Sequence, residues 1–234
     1  MNYILSDGNH REDLFPFTFT RPVSGIRVGI LTISEKWEKW LKTSVSFQTA
    51  DYLSEKFPLS VAAKNTVING SYLPNRALVE AIRTLKMGEA LIGDDSYIAY
   101  VTENPETGFE ESAYTAIPFD GEVLTIKHTW DIFSKNGEAL QVDFDLLTKG
   151  RTSQPIPDTN QVRSPENIFI EEGATVEFCI LNASTGPIYI GKNAQVWEGA
   201  MIRGAFALCD NSVVKMGAKM YGATTVGPYG KVAG

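Results

Sequence analysis

Apolar positions along the chain follow two different rules. Up to about residue 150 they come in short runs alternating with helical patterns. Tyr3-Ile4-Leu5 reads as a buried strand, followed at once by the polar stretch Ser6 to Arg11. Ile33, Trp37, Trp40 and Leu41 share one helical face, and Thr32 with Glu35 has the spacing of a capping box. Val45 to Thr49 alternates as a strand does, and Asn65 to Gly70 is an apolar run closed by a turn pair. Leu78, Ala81, Ile82 and Leu85 form a second helical face that stops at Gly88. Tyr97–Val101 and Val123–Ile126 read as further strands, and Leu140, Phe144 and Leu147 as a helix ending at Gly150. Strands and helices alternating in this way predict an α/β domain with a largely parallel, Rossmann-like sheet. Ligands of such sheets bind beyond the carboxyl ends of the strands, so the loop after Leu5 is the first place to look for a site.

The last third has a period of six. Ile190, Val196, Ile202, Leu208, Val214, Met220 and Val226 are aliphatic in unbroken succession, and the positions four further on, Ala194, Ala200, Phe206, Ser212, Ala218 and Thr224, are small in all cases but Phe206. Ile170, Ala174 and Val176 obey the same rule earlier, with extra residues around Thr185-Gly186. Neither a helix nor an alternating β-sandwich strand produces this pattern. A parallel β-helix of hexapeptide repeats does, because each six-residue side turns one large side chain inward and places a small one near the corner. Between the two patterns, residues 151–165 are polar, contain three prolines and show no periodicity, as a linker would. The predicted domains are therefore residues 1–160, α/β, and residues 161–234, a β-helix whose repeats run to Val226 with no capping element after them. On that ground the chain is expected to be part of a longer protein whose β-helix is incomplete at this end.

Charge sharpens the division. The chain has 234 residues, with 21 basic and 28 acidic side chains and a net charge of -7. Residues 163–234 hold 6 of each sign, so the whole imbalance falls in the first part. An acidic protein of this kind is not held to nucleic acid by phosphate neutralisation, nor to a membrane by a polybasic patch. No apolar window approaches the roughly 18 residues of a membrane span, and nothing near the start has the form of an export signal. Two cysteines, Cys179 and Cys209, and two histidines, His10 and His128, form neither a zinc-ligand pattern nor a disulfide framework, which predicts a cytoplasmic protein.

Candidate chemistry concentrates near the start. Residues 1–35 carry only Arg11, Arg21 and Arg27 as basic side chains before Lys36. Guanidinium forks suit bidentate phosphate contacts, and Gly8 lets backbone N–H groups approach an anion. Asp7 has the chemistry to meet a metal or a ribose. The plainer alternative is that these arginines pair with carboxylates or main-chain carbonyls and stiffen a long loop. His10 is either an anion donor in the same loop or a surface histidine, and His128 marks a helix start. Residues 87–126, which include Gly93-Asp94-Asp95, hold nine carboxylates and no basic residue, the composition of a solvated face more often than of a metal site.

Asp7-Gly8, Arg11-Glu12, Pro16 to Pro22 and Ile26 to Gly29, together with Ile190 to Ala194, Ile202 to Gly204 and Gly217 to Gly222, carry a resemblance to the GlmU-like sugar nucleotidyltransferases that end in a left-handed β-helix. The likeness covers nearly the whole chain and is most similar to a divergent bacterial branch. It implies transfer of a nucleotidyl group from an NTP to a sugar 1-phosphate, with Mg²⁺ neutralising the phosphates, and nucleotides and sugar phosphates as the partners. It further implies a homo-oligomer, a trimer through the β-helix, in which acyl-CoA serves as cosubstrate only where the chain is longer. Arg11 and Arg21 are then the expected catalytic residues, and Asp7, Gly8, Arg11, Arg21, Arg27, Asn69 and Gly70 the expected substrate-binding residues, with the metal ligands not assigned. Three positions depart from the family pattern. One glycine stands in the first loop, Val23 follows Pro22 where a lysine is usual, and Ser71 occupies the place of the metal-binding aspartate. They motivate an alternative reading, a sugar-nucleotide-binding or scaffolding protein without catalysis. A third reading is an acyltransferase whose first domain only presents the acceptor, but no histidine follows His128 to act as its base.

Overall fold

A computed structural model describes residues 2–93 and 96–233. By their contacts these fall into two units, Met1–Ile26 with Leu31–Asp131, and Arg27–Ile30 with Ile132–Gly234.

The first unit is built on a six-stranded sheet. Its elements are β1 (Asn2–Ser6), α1 (Ile33–Leu41), β2 (Ser46–Gln48), β3 (Asn65–Asn69), α2 (Arg76–Thr84), β4 (Glu89–Ile92), β5 (Tyr97–Thr102) and β6 (Thr115–Pro118). The strand order is β2-β1-β3-β5-β4-β6. β1 runs parallel to both β2 and β3, and β4 parallel to β6, while β5 is antiparallel to β3 and to β4. Five carboxyl ends therefore point to one edge. The chain leaves β1 for β2 on one side and returns to place β3 on the other, so the order reverses between β1 and β3, where open α/β sheets form a crevice.

Local sequence accounts for the helices. Thr32 Oγ1 accepts from Glu35 N, and Glu35 Oε2 accepts from Thr32 N, closing the capping box in front of α1. Ile33, Trp37 and Leu41 are buried, and the Trp37 indole donates to the Tyr72 carbonyl at 2.9 Å. Asn75 caps α2 through Leu78 N, burying Leu78, Val79 and Ile82.

The sheet departs from the sequence reading in three ways, the first being β4, a strand the sequence reading did not assign. Val123–Ile126 is not a strand of it: Leu124 O and Ile126 N bond Leu73 and Ser71, in the segment just after β3, with a single antiparallel bridge between Tyr72 and Thr125. β6, by contrast, is an edge strand whose residues are mostly exposed, so it lacks the apolar signature a buried strand carries.

The second unit is a parallel β-helix. One wall consists of β7 (Gln161–Arg163), β10 (Ile180–Asn182), β13 (Met201–Arg203) and β16 (Lys219–Met220). A second consists of β8 (Ile168–Ile170), β11 (Ile188–Ile190), β14 (Phe206–Leu208) and β17 (Thr224–Val226), and a third of β9 (Thr175–Val176), β12 (Gln195–Val196), β15 (Val213–Val214) and β18 (Lys231–Val232). Every pairing in these walls is parallel. The six-residue series points inward, with Ile190, Val196, Ile202, Leu208, Val214 and Val226 buried and Met220 packed against them. Phe206, the large member of the small series, is itself fully buried in that core.

The second wall is apolar on its outer face as well. Phe169, Tyr189, Ala207 and Cys209 are covered by Leu140 and Phe144 of the helix Asn136–Thr148 and by Ile30. Asn136 Oδ1 accepts from Gly29 N at 2.7 Å, and Asp143 Oδ2 from Ile30 N at 2.8 Å. These bonds join residues 27–30 and the helix to the coil. By contacts the change of unit therefore falls at Asp131, whereas the composition shift in the sequence lies near residue 160. Among the described residues no helix is long and apolar enough to cross a membrane.

Candidate functional site

The carboxyl edge of the first unit's sheet carries three adjoining hollows. The first, about 420 Å³, lies over β1 and β2 and is lined by Ser6 to Asn9, Arg11, Gln48, Thr49, Tyr97 and Phe109. The second, about 400 Å³, shares Asn9, Tyr97 and Phe109 with it and adds Gly93, Ser96 and Glu111. The third, about 470 Å³, shares Gly93 and is walled by Tyr72, Phe119, Asp120, Glu122 and Lys127. Tyr97 and Phe109 stand between the first two.

Asp7 organises the first hollow. It follows the last residue of β1 and is buried. Its Oδ1 accepts from Val23 N at 2.7 Å, and its Oδ2 accepts from Arg11 Nη1 and from Thr49 Oγ1, each at 2.5 Å. One carboxylate thus ties together the β1 loop, the tip of β2 and the turn Val23–Gly25.

Arg11 is engaged on both terminal nitrogens. Nη1 donates to Asp7 and Thr49, and Nη2 to the Thr18 carbonyl at 2.6 Å and to the Tyr52 hydroxyl at 2.8 Å. Thr18 Oγ1 returns a bond to the Arg11 carbonyl at 2.7 Å. This is the geometry of a clamp that shapes residues 12–22, the stiffening role weighed in the sequence.

Arg21 differs. It is exposed, and its guanidinium makes no hydrogen bond or ion pair among the described residues. Arg27 belongs to the second unit, where its Nη1 donates to the Ile30 carbonyl. Arg11 and Arg21 therefore share one loop, and Arg27 lies in the other unit. His10 Nδ1 sits 3.2 Å from Asp13 Oδ2.

Gly8 has φ +56°, and a Cβ there would overlap the Asn69 carboxamide, so only glycine fits without strain. Asn69 is fully buried; its Oδ1 accepts from Ser71 N and Ser71 Oγ, and its Nδ2 donates to the Tyr97 carbonyl. Gly70 passes close to the Ser6 carbonyl and donates its N–H there at 2.7 Å, while a Cβ would press on Ser6 and Ser24. Ser24 Oγ, buried beside Gly70, has no hydrogen-bond partner among the described residues. Among the described residues the N–H groups of Gly8 and Asn9 also have no acceptor, while His10 closes the turn over them. Successive free N–H groups around a left-handed residue form a concavity that attracts anions.

Burial shifts the tyrosines. Burial pushes Tyr97 up, against the bond from Ser6 at 2.7 Å and with help from the Asp7 charge. Tyr100 is raised by burial and then by its neighbours Tyr97 and Tyr114. Both stay protonated as neutral walls.

These residues do not fit a resident Mg²⁺. Hard cations take free carboxylate oxygens, yet the Asp7 oxygens already receive three donors and Ser71 offers a hydroxyl spent on Asn69. No group of three or more His, Cys, Asp or Glu converges among the described residues, and Asp94 and Asp95 lie outside them.

A family model described as sugar nucleotidyl transferase matches residues 3–152. The chain belongs to this family. The match spans the whole first unit apart from its first residues and supports nucleotidyl transfer in general. Among curated proteins, none matches the chain. In this sugar nucleotidyl transferase family member Asp7, Gly8, Asn69 and Gly70, four of the residues expected from the sequence to bind substrate, lie together at the β1/β3 crevice. Thr49, Tyr52, Tyr97 and Phe109, which the sequence did not single out, join them there or bond to them. Thr49 alone had a signal, since it ends a predicted parallel strand.

Proposed function

We propose that the first unit binds a nucleoside triphosphate with its phosphates on the Gly8–Arg11 loop and transfers the nucleotidyl group to a sugar 1-phosphate. The observation that carries this reading is the pair of unpaired N–H groups at Gly8 and Asn9, at the carboxyl end of β1 beside the order reversal. In the reaction an oxygen of the sugar 1-phosphate attacks the α-phosphorus, a new P–O bond forms, the bond to the β-phosphate oxygen breaks and pyrophosphate leaves. Such chemistry asks for positioning and for charge stabilisation. Here the N–H groups hold phosphate oxygens, and Arg21, exposed and unpaired, supplies the mobile positive charge. Arg11 acts on the substrate indirectly, by holding the loop through Asp7, Thr18 and Tyr52. The adjoining hollows, with Ser96, Glu111, Asp120 and Glu122, offer the hydroxyl and carboxylate groups a sugar ring requires.

A second reading keeps binding without turnover. Ser71 is buried and bonded to Asn69, and Val23 follows Pro22, so two groups that family resemblance leads one to expect at the phosphates are absent from those positions. Pyrophosphate release separates the two. With a panel of NTPs and sugar 1-phosphates, release from at least one pair supports transfer; tight nucleotide binding with no release from any pair supports the binding protein; neither binding nor release rejects both.

The GlmU-like, two-activity reading rests on the β-helix that follows. We place the protein in the cytoplasm, where sugar nucleotides are made, as a homo-oligomer assembled through the coil. Residues 132–233 contain no histidine, so acyl transfer from acyl-CoA would draw its base from outside them.

A further inference from the structure

We propose that the ring of Phe109 is the stacking surface for the base of the bound nucleotide. This rests on the nucleotide reading above and goes beyond it by naming what holds the base. The polar side chains around the first hollow are already spent. Asp7 accepts three donors, Arg11 serves four acceptors, and Thr49 bonds both of them. Gln48 Nε2 donates to the Pro105 carbonyl at 2.7 Å, and the Tyr97 hydroxyl is paired with Ser6. Few side-chain groups remain to read a base edge by hydrogen bonds. What remains is an aromatic wall.

Phe109 is the half-exposed member of that wall and lines both of the first two hollows. It is held rigidly. Tyr97 packs against it with ring centroids 4.5 Å apart, Tyr100 at 5.2 Å and Tyr114 at 5.4 Å. The turn that carries it is fastened to the tip of β2 by the Gln48–Pro105 bond and reversed at Gly108, whose φ is +76°. A ring fixed in this way loses little freedom when a flat base settles on it, and every base has a π-face to offer. The position suits a triphosphate on the Gly8 and Asn9 amides, since those two residues line the same hollow as the ring. The carboxylates Asp120 and Glu122, which suit a sugar better than a base, lie in the third hollow, of which Phe109 is not a lining residue.

The test is calorimetric titration of the whole chain with ATP, with UTP and with inorganic tripolyphosphate, for the native protein, Phe109→Ala and Phe109→Trp. Both nucleotides are expected to weaken about 10-fold or more in Phe109→Ala, the range of lost base stacking. Phe109→Trp keeps or tightens both, and tripolyphosphate binds all three proteins alike. Unchanged nucleotide affinity in Phe109→Ala overturns the proposal, as does an equal loss for tripolyphosphate, which would report a collapsed loop instead of a lost base contact. Tripolyphosphate binding to the native protein as tightly as ATP and UTP overturns it too, because the base then contributes nothing, while leaving the phosphate site standing. A native protein that binds none of the three overturns this proposal together with the nucleotide reading.

Discussion

Arg11 and Asp7 are four residues apart in the sequence and 2.5 Å apart in space, with the carboxylate at the tip of β1 and the guanidinium at the root of the loop it supports. The pair is largely enclosed, with side-chain exposures of 16% and 9%, and it sits at the centre of the bonds that shape residues 7–23. This separates two arginines that look equivalent in the sequence: one is spent on the loop and the other, exposed, has no partner among the described residues.

The two should therefore fail in different ways. Arg11→Ala takes from Asp7 its ion-pair partner, one of three donors, and from the Thr18 carbonyl its guanidinium donor, and the loss of one partner of such a pair costs about 2–4 kcal/mol of stability. Arg21→Ala removes an exposed side chain and changes stability by less than about 0.5 kcal/mol, yet it weakens NTP binding about 10-fold, as loss of a charge-assisted contact does. Chemical denaturation and calorimetric titration of both variants check this, and equal effects of the two on stability would refute it.

Gly8→Ala is expected to lose about 1–2 kcal/mol of stability from its left-handed backbone alone. Measured in an Asn69→Gly background, where the carboxamide is gone, Gly8→Ala is expected to cost less than in the native protein but still about 1 kcal/mol, because the strained φ remains. No cost of Gly8→Ala in that background would show that crowding, and not the backbone, selects glycine here.

In the second unit, Glu171 is buried and receives Arg151 through both carboxylate oxygens, at 2.8 and 2.6 Å, and the Tyr189 hydroxyl at 2.8 Å. Burial alone would raise its pKa, but the bonds from Arg151 and Tyr189 and the nearby positive charges outweigh it and hold the carboxyl below its ordinary value. A depressed acid contributes stability that is present above its unfolded pKa and is lost as pH falls through the folded one. The native protein should therefore lose stability below about pH 4.5 more steeply than Glu171→Gln, whose curve lacks this component. Parallel curves from pH 7 to pH 3 would contradict the assignment.

Asp143→Ala leaves Ile30 N buried without its acceptor and should cost about 1–3 kcal/mol. The loss is expected in the unfolding of the β-helix unit, where Ile30 packs with Phe144 and Tyr189. Measuring unfolding by coil-specific amide exchange decides it, since protection unchanged at Phe169, Tyr189 and Ala207 would show that this segment does not support the wall.

How much of this was legible follows from how local each signal is. The β-helix was, because its period is carried by the side chains themselves, from Ile190 to Val226, and even Phe206 breaks the small series without leaving the core. The first strand, the capping box at Thr32 and the crevice residues Asp7, Gly8, Asn69 and Gly70 were also legible, since turn chemistry and strand ends mark them. β6 was not, because an exposed edge strand has no apolar alternation to display. The apolar face of Leu140 and Phe144 was visible, but periodicity does not say what a face covers, and it covers the coil. Tyr52 and Phe109 join the site only through the fold, 41 and about 100 residues from their partners in the first loop, and Thr49, 42 residues from Asp7, had only its strand end to mark it. Arg11 and Arg21 look alike in the sequence for the same reason, since what distinguishes them is whether Asp7 and Tyr52 come within reach.

The central claim is that the unpaired amides after β1 are the seat of the nucleotide's phosphates. Backbone amide chemical shifts, followed by nuclear magnetic resonance as UTP or ATP is added, test it most directly. The account predicts that the N–H groups of Gly8 and Asn9 show the largest shifts, saturating with the calorimetric affinity and shrinking in Arg21→Ala at the same nucleotide concentration. Nucleotide binding that moves other amides and leaves these two unchanged would contradict it.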